Sequence, residues 1–144
     1  MTQPIPAGFH TLTPHLVCDG AAKAIDFYKE AFGAEEIARA PAPGSDKLIH
    51  ALIRIGDSLV MLVDDFPEFT GGKASHPHAL GGSPVSLHLY TTDVDAAMDR
   101  AVKAGCTLTM PVMDQFWDEI KTHPNVPYIP FGAGGFLTIP EMYR

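Results

Sequence analysis

The sequence has few cysteines, no long apolar run and no basic segment at its start. Cys18 and Cys106 lack the Cys-x-x-Cys spacing of redox and zinc motifs, so we expect two free thiols rather than a disulfide framework. The longest apolar run, residues 58–63, is far shorter than the roughly 20 residues that a membrane span needs. Together with the missing signal-peptide pattern, these absences predict a cytoplasmic protein without a membrane partner.

Basic residues are also scarce. Ten Lys and Arg against 17 Asp and Glu give a formal net charge of −7 with neutral histidines. A negative field repels phosphate backbones, so we expect no nucleic-acid partner. The 144 residues, 46% of them hydrophobic, suit one domain with its own core.

Hydrophobic periodicity in the first half predicts the order β-α-β-β-β. The predicted strands span residues 11–17, 35–40, 48–55 and 58–63, and the predicted helix spans residues 20–32. Gly33 is typical of a helix C-terminus, and Gly56 with Asp57 is typical of a hairpin turn.

The second half repeats this order after a stretch rich in Gly, Pro and His. It predicts a strand at 85–90, a helix at 93–104 and a strand at 107–112. The shift that aligns His15 with His88 also aligns Ala24 with Ala97, which indicates an internal duplication. We therefore predict a single domain made of module one (8–65), a linker (66–83) and module two (84–144). Since one module leaves a sheet face bare, two are needed to enclose a cavity.

Alternation along the predicted strands indicates which side chains line that cavity, because neighbours in a strand point to opposite faces. We expect the apolar face of each strand to lie under the helices. The residues on the opposite face, most of them polar, then line the cavity. They include Thr13, His15, His50, Ser86, His88 and Tyr90. Polar and apolar groups lining one cavity are typical of a small-molecule site.

Several segments resemble one protein family. They are residues 13–34, 50–62, 81–90, 93–97 and 114–117. In order and spacing they are similar to the vicinal oxygen chelate superfamily of glyoxalases, bleomycin- and fosfomycin-resistance proteins and extradiol dioxygenases, and within it to the PhnB-like, or 3-demethylubiquinone methyltransferase-like, branch. The resemblance implies an α+β fold of two tandem βαβββ modules, a mixed curved sheet around a cleft, and a homodimer.

Metal-dependent members of this family carry histidine and glutamate ligands on the first and last strands of each module. The equivalent positions here are Thr13, Met61 and Ser86, whose hydroxyl and thioether groups bind divalent ions poorly. We therefore predict no metal ligands and no cofactor. A divalent metal held by His15 and His88, with a carboxylate such as Asp64 or Glu141, is the alternative.

The resemblance implies a small-molecule-binding protein, with no catalytic residue and no reaction assigned. The predicted ligand-binding residues are Thr13, His15, His50, Met61, Ser86, His88, Tyr90 and Trp117. The alternatives are a metal-dependent lyase, isomerase or dioxygenase, and a resistance protein that sequesters a cationic drug. His50 with Arg54 could hold a substrate anion, but we interpret Arg54, which lies next to a turn, as a solvated side chain. We likewise interpret Asp64 and Asp65 as a solvated strand end.

The resemblance ends at Trp117. The Gly-Asp-Arg and Asp-Pro-Phe-Gly-His segments of the family are missing, and Pro130-Phe-Gly132 is the nearest echo. The tail has either diverged or come from a shifted reading frame. Residues 136–139 are predicted to form a closing strand.

Overall fold

A four-stranded sheet with one helix against it forms the centre of the protein. The structure is a computed structural model and describes residues 3–85, 87–110 and 136–138. The strands are β1 (His15–Cys18), β2 (Glu35–Pro41), β3 (Leu48–Ile55), β4 (Ser58–Asp64), β5 (Thr107–Met110) and β6 (Phe136–Thr138), and the helices are α1 (Ala21–Phe32), α2 (Pro77–Leu80) and α3 (Val94–Lys103).

The main sheet is mixed and has the order β1-β4-β3-β2. β1 runs parallel to β4, and β3 pairs antiparallel with both β4 and β2. A two-residue turn at Gly56 and Asp57 joins β3 to β4 as predicted. β5 and β6 form a separate antiparallel pair. The predicted α+β class with a mixed sheet is confirmed.

The core lies between α1 and one face of this sheet. Ile25 of α1 is fully buried with Ile53 of β3 and Leu62 of β4. Each such side chain contributes about 1.5–3 kcal/mol when it leaves water. The apolar residues of α1 recur at helical spacing and therefore share one face of the helix. This face of α1 packs against the apolar face of the sheet.

α3 packs against α1 and is held there by an arginine. Arg100 Nε donates to the Glu30 carbonyl oxygen at 2.7 Å, and Arg100 Nη2 donates to the Lys29 carbonyl oxygen at 3.1 Å. Both carbonyls belong to the last turn of α1, where the Lys29 carbonyl also accepts from the Gly33 amide at 3.1 Å. Gly33, at φ 66°, ends the helix, and a Cβ there would lie 3.0 Å from the guanidinium. Arg100 thus caps α1 from the neighbouring helix.

The elements of the first half agree with the predicted order, and β3 has the predicted bounds. β1 begins at His15 rather than at residue 11, because Pro14 has no amide hydrogen and contributes only its carbonyl, which accepts from the Met61 amide at 2.9 Å. The predicted linker contains a 3-10 turn (Pro67–Phe69) and α2.

The second half agrees less well. α3 matches its prediction closely, with Asp93 as N-cap, accepting from the Ala96 amide at 3.0 Å. The strand predicted at 85–90 is wrong for its described residues, where only His88 takes part in an isolated bridge. The division into two modules and a linker stays a prediction, since residues 111–135 and 139–144 lie outside the described part.

Candidate ligand-binding site

The face of the main sheet turned away from α1, here called the distal face, carries the candidate site. Strand register defines its members: His15 pairs with Met61, and Met61 with Leu52. The distal face comprises His15 and Val17 of β1, Leu59, Met61 and Val63 of β4, His50, Leu52 and Arg54 of β3, and Glu35, Ala38 and Ala40 of β2. Four of the predicted site residues thus have described positions in or beside this sheet: His15, His50, Met61 and Thr13.

Two imidazoles meet on the distal face. The ring centroids of His15 and His50 lie 6.4 Å apart with an interplanar angle of 75°. His15 is exposed and His50 is half-buried. Met61 lies on β4, between the strands that carry the two histidines, and pairs with the buried Leu52 of β3. These two side chains give the histidine pair an apolar floor.

The other predicted site residues are arranged differently. His88 is exposed and stacks on Tyr90, with ring centroids 4.6 Å apart and an interplanar angle of 13°. Although His88 is largely exposed, partial desolvation of its ring lowers its pKa, which favours the neutral form. Ser86 and Trp117 lie outside the described residues. The described ring contacts therefore join His15 to His50, while the duplication had suggested His88 as its companion.

Val17 and Val63 belong to the distal face but were missing from the predicted site. Both are half-buried and paired across the parallel strands β1 and β4. β4 is apolar at almost every position, so an alternation of polar and apolar residues cannot show which of its side chains face the core. The pairing of β4 with the alternating strand β3 would have revealed their orientation.

Arg54 is already engaged on this face. Its guanidinium Nη2 lies 2.6 Å from Glu35 Oε2, and both side chains are largely exposed. Arg54 therefore neutralises Glu35 at one end of the distal face, and we do not assign it to a joint anion site with His50.

The interpretation of Asp64 as a solvated strand end is wrong. Asp64 is 5% exposed. Its Oδ1 accepts from the amides of Gly20 and Ala21 at 3.0 and 2.9 Å, and its Oδ2 accepts from the Leu48 amide at 2.6 Å. Gly20 is the N-cap of α1 and has no side chain, so a carboxylate from β4 supplies the cap. With both oxygens used, Asp64 is a poor candidate for a metal ligand.

Asp65 has the same kind of structural role. It is 6% exposed and accepts from the Ser75 amide and hydroxyl and from the His76 amide. Burial by itself raises the pKa of Asp65, but these hydrogen bonds outweigh it and lower the pKa below its ordinary value. Asp65 therefore anchors the chain that follows β4, and the expectation of a solvated residue is wrong here too.

The cysteines are free, as predicted, and both are buried. Burial raises the pKa of Cys18 to about 12 and that of Cys106 to about 11. Nucleophilic cysteines need a lowered pKa, so neither thiol has the environment of a catalytic residue.

The described residues do not complete a metal site. No group of three or more His, Cys, Asp or Glu side chains converges within the described part of the chain. His15 and His50 supply two nitrogen donors on the distal face, whereas Asp64 and Asp65 are committed to backbone amides. A metal at this pair would need further ligands.

A shallow groove of about 420 Å³ lies elsewhere, between α1 and α3. Glu30, Asp99, Arg100 and Lys103 line it with charges of both signs. Arg100 is already bound to α1, and Ala96 and Ala104 are the only apolar residues in this lining, which has no aromatic or large aliphatic side chain. The distal face remains the better candidate.

The fold and the sequence together define the class of protein. Residues 8–137 match the Glyoxalase/Bleomycin resistance protein/Dioxygenase superfamily, and the chain belongs to it. The match covers most of the sequence, so the resemblance seen in the separate segments is confirmed.

Relatives support this assignment without adding a reaction. The chain is 53% identical over 108 residues to an uncharacterised protein of Mycobacterium bovis, covering 75% of this chain and 70% of that protein. An uncharacterised protein of Mycobacterium tuberculosis strain H37Rv is equally similar, but the match spans only 63% of its length. A PhnB protein from Bacillus cereus shares the fold, with a TM-score of 0.53, 16% identity, and coverage of 75% of this chain and 84% of that chain.

Among the described residues, no helix is long and apolar enough to span a membrane.

Proposed function

We propose that the protein binds a small organic molecule on the distal face, in the manner of the glyoxalase and bleomycin-resistance type. The observation that carries the proposal is the meeting of the two imidazoles of His15 and His50 above the floor of Met61 and Leu52. A few polar groups over apolar side chains give orientation and affinity together.

The opposite face of the sheet supports this location. α1 covers that face with a close-packed core, so the distal face is the one available to a ligand. This proposal keeps five further residues as predicted contributors to the site: Thr13, Ser86, His88, Tyr90 and Trp117.

We propose a homodimer in the cytoplasm as the working form. One βαβββ module has a single helix and leaves its second sheet face uncovered, so a second module or a second copy must complete the enclosure. Equilibrium sedimentation tests the homodimer, and a monomer at all protein concentrations would contradict it.

A metal-dependent lyase, isomerase or dioxygenase is the main alternative, because His15 and His50 are nitrogen donors within reach of one another. Calorimetric titration of chelator-treated protein with Zn²⁺, Ni²⁺, Mn²⁺ and anaerobic Fe²⁺ separates the two functions. We expect no binding at micromolar affinity. One tightly bound ion per subunit, lost in His15→Ala, would establish the metal alternative.

Thermal-shift screening against small organic molecules tests binding itself. We expect some compounds to raise the melting temperature of the wild type but not that of Met61→Arg, in which a long charged side chain occupies the floor. His78→Arg is the matched control, since His78 lies in α2 and outside the sheet. Compounds that stabilise Met61→Arg as strongly as the wild type would place the site elsewhere. Selective stabilisation by bulky cations would favour the alternative of drug sequestration.

A further inference from the structure

We propose that the ligand of the distal face is an organic anion, a small apolar molecule with a carboxylate that accepts hydrogen bonds from His15 and His50 without a metal. This inference rests on the proposed function and names the chemical class of its ligand.

The charge balance of the distal face is the first argument. Among its described residues, the groups that can carry charge are His15 on β1, His50 and Arg54 on β3, and Glu35 on β2, while Leu59, Met61 and Val63 of β4 add none. Glu35 is the sole acidic member in this set, and Arg54 holds it at 2.6 Å. The two imidazoles therefore face no carboxylate on the distal face, in a chain with 17 acidic residues.

The nearest acidic residue of β4 is directed to the other side. Asp64 belongs to the face covered by α1, where three backbone amides occupy its oxygens. Asp65 is likewise bound to Ser75 and His76. Among the described residues, the carboxylates of this sheet and its end are thus bound to backbone amides and Ser75, to Arg54, or to Lys29 and Arg39. This leaves the imidazole N–H groups for the carboxylate of a ligand.

The separation of the rings favours a carboxylate over a single metal ion. Two nitrogens bound to one zinc ion lie at most about 4.2 Å apart, twice the Zn–N distance. With centroids 6.4 Å apart, His15 and His50 reach that spacing only if each ring directs a nitrogen along the line that joins the centroids. A carboxylate whose two oxygens each accept one N–H at about 2.8 Å bridges a wider gap and tolerates the 75° angle between the rings.

The apolar floor determines the rest of the ligand. The half-buried Met61 and Val63 present thioether and aliphatic surface beside the two imidazoles, next to the buried Leu52. An inorganic anion such as phosphate would gain nothing from this surface, whereas an aromatic or branched body would be removed from water against it. Methionine also makes favourable contacts with aromatic rings.

The probes for the test are benzoate and its neutral isostere benzamide. Each is titrated into isotopically labelled protein while the ring resonances of the histidines are followed by NMR, with EDTA present throughout. We expect benzoate to bind about tenfold more tightly than benzamide and to shift the resonances of His15 and His50. In His15→Gln, which alters an exposed side chain, the preference for benzoate should fall severalfold. In His15→Gln/His50→Gln it should vanish, while His78→Gln should behave as the wild type.

Each other outcome has a definite meaning. Equal affinity for the two probes, with shifts at His15 and His50, would overturn the anion proposal and leave small-molecule binding on the distal face intact. Binding of benzoate only after a divalent metal replaces EDTA would also overturn it, because the anion would then be held through the ion. Failure of both probes, and of the compounds found by thermal shift, to move either resonance would refute the proposed function as well.

Discussion

Replacing Asp64 tests the central structural claim about the main sheet. In Asp64→Ala the amides of Gly20, Ala21 and Leu48 lose their acceptor together. A buried donor left without a partner costs about 1–3 kcal/mol. Two of the three amides are fully buried, and the third is partly buried, so we expect a total loss of about 3–5 kcal/mol in the free energy of unfolding.

That loss is large for a domain of this size, because native domains are stable by only about 5–15 kcal/mol. Urea unfolding followed by far-ultraviolet circular dichroism measures it. Asp64→Asn keeps one carbonyl oxygen, which can still cap α1, but then places its NH₂ group against the Leu48 amide, donor against donor. We therefore expect Asn to lose roughly half as much as Ala.

Asp57→Ala is the matched control. Asp57 is an exposed carboxylate in the turn before β4, and its only described hydrogen bond comes from the neighbouring Ser58 hydroxyl at 3.2 Å. We expect this change to cost less than about 0.5 kcal/mol. If Asp64→Ala were as mild as Asp57→Ala, the capping role would be refuted and Asp64 would be a solvated strand end after all.

Three further predictions follow from single contacts. Arg100→Met should lower the free energy of unfolding by about 1–2 kcal/mol through loss of the α1 cap, whereas Lys103→Met should change it little, as measured by urea unfolding. The pKa of Cys18 rises from 9.0 to about 12 on folding, so its contribution to stability is complete below about pH 9 and is lost as the pH rises towards 12. When Tm is measured against pH, we expect Tm to fall less steeply between pH 9 and 12 in Cys18→Ala than in the wild type. Hydrogen bonds from Arg39 and Lys29 lower the pKa of Glu36 from 4.5 to about 2, so its contribution is present above about pH 4.5 and lost as pH falls towards 2, and Glu36→Gln should be less sensitive to acid in that window.

Local patterns predicted the first half of the fold well. Apolar residues at helical spacing located α1, alternation located β3 with its exact bounds, and Gly56 with Asp57 located the hairpin turn. These signals depend on neighbours in sequence, so a single chain reveals them. The strand predicted at 85–90 rested on the same alternation, yet its described residues pair only at His88, since a strand also needs a partner that alternation does not supply.

The roles of Asp64 and Asp65 were beyond the reach of the same signals. Adjacent carboxylates after an apolar run are typical of a strand that enters solvent, and the residues that bury them are far away in sequence. Gly20 and Ala21 contact Asp64 across more than 40 residues. A clue was nevertheless present, because α1 begins at a glycine that has no side chain to cap it. A helix without a local N-cap implies an acceptor from another element.

The composition of the distal face follows from strand register rather than from the duplication. Aligning the two halves pairs His15 with His88, and this says which positions are equivalent, not which are close. His15 and His50 become neighbours because β1 runs parallel to β4 and β4 pairs antiparallel with β3, which places Met61 opposite both His15 and Leu52. Since Leu52 and His50 are two residues apart on one strand, His50 shares that face. A register slip of one residue in either pairing would turn His15 away from His50 and remove the candidate site. The buried Leu62, Ala51 and Ile53 on the opposite face hold this register, so the core under α1 also determines which side chains a ligand meets.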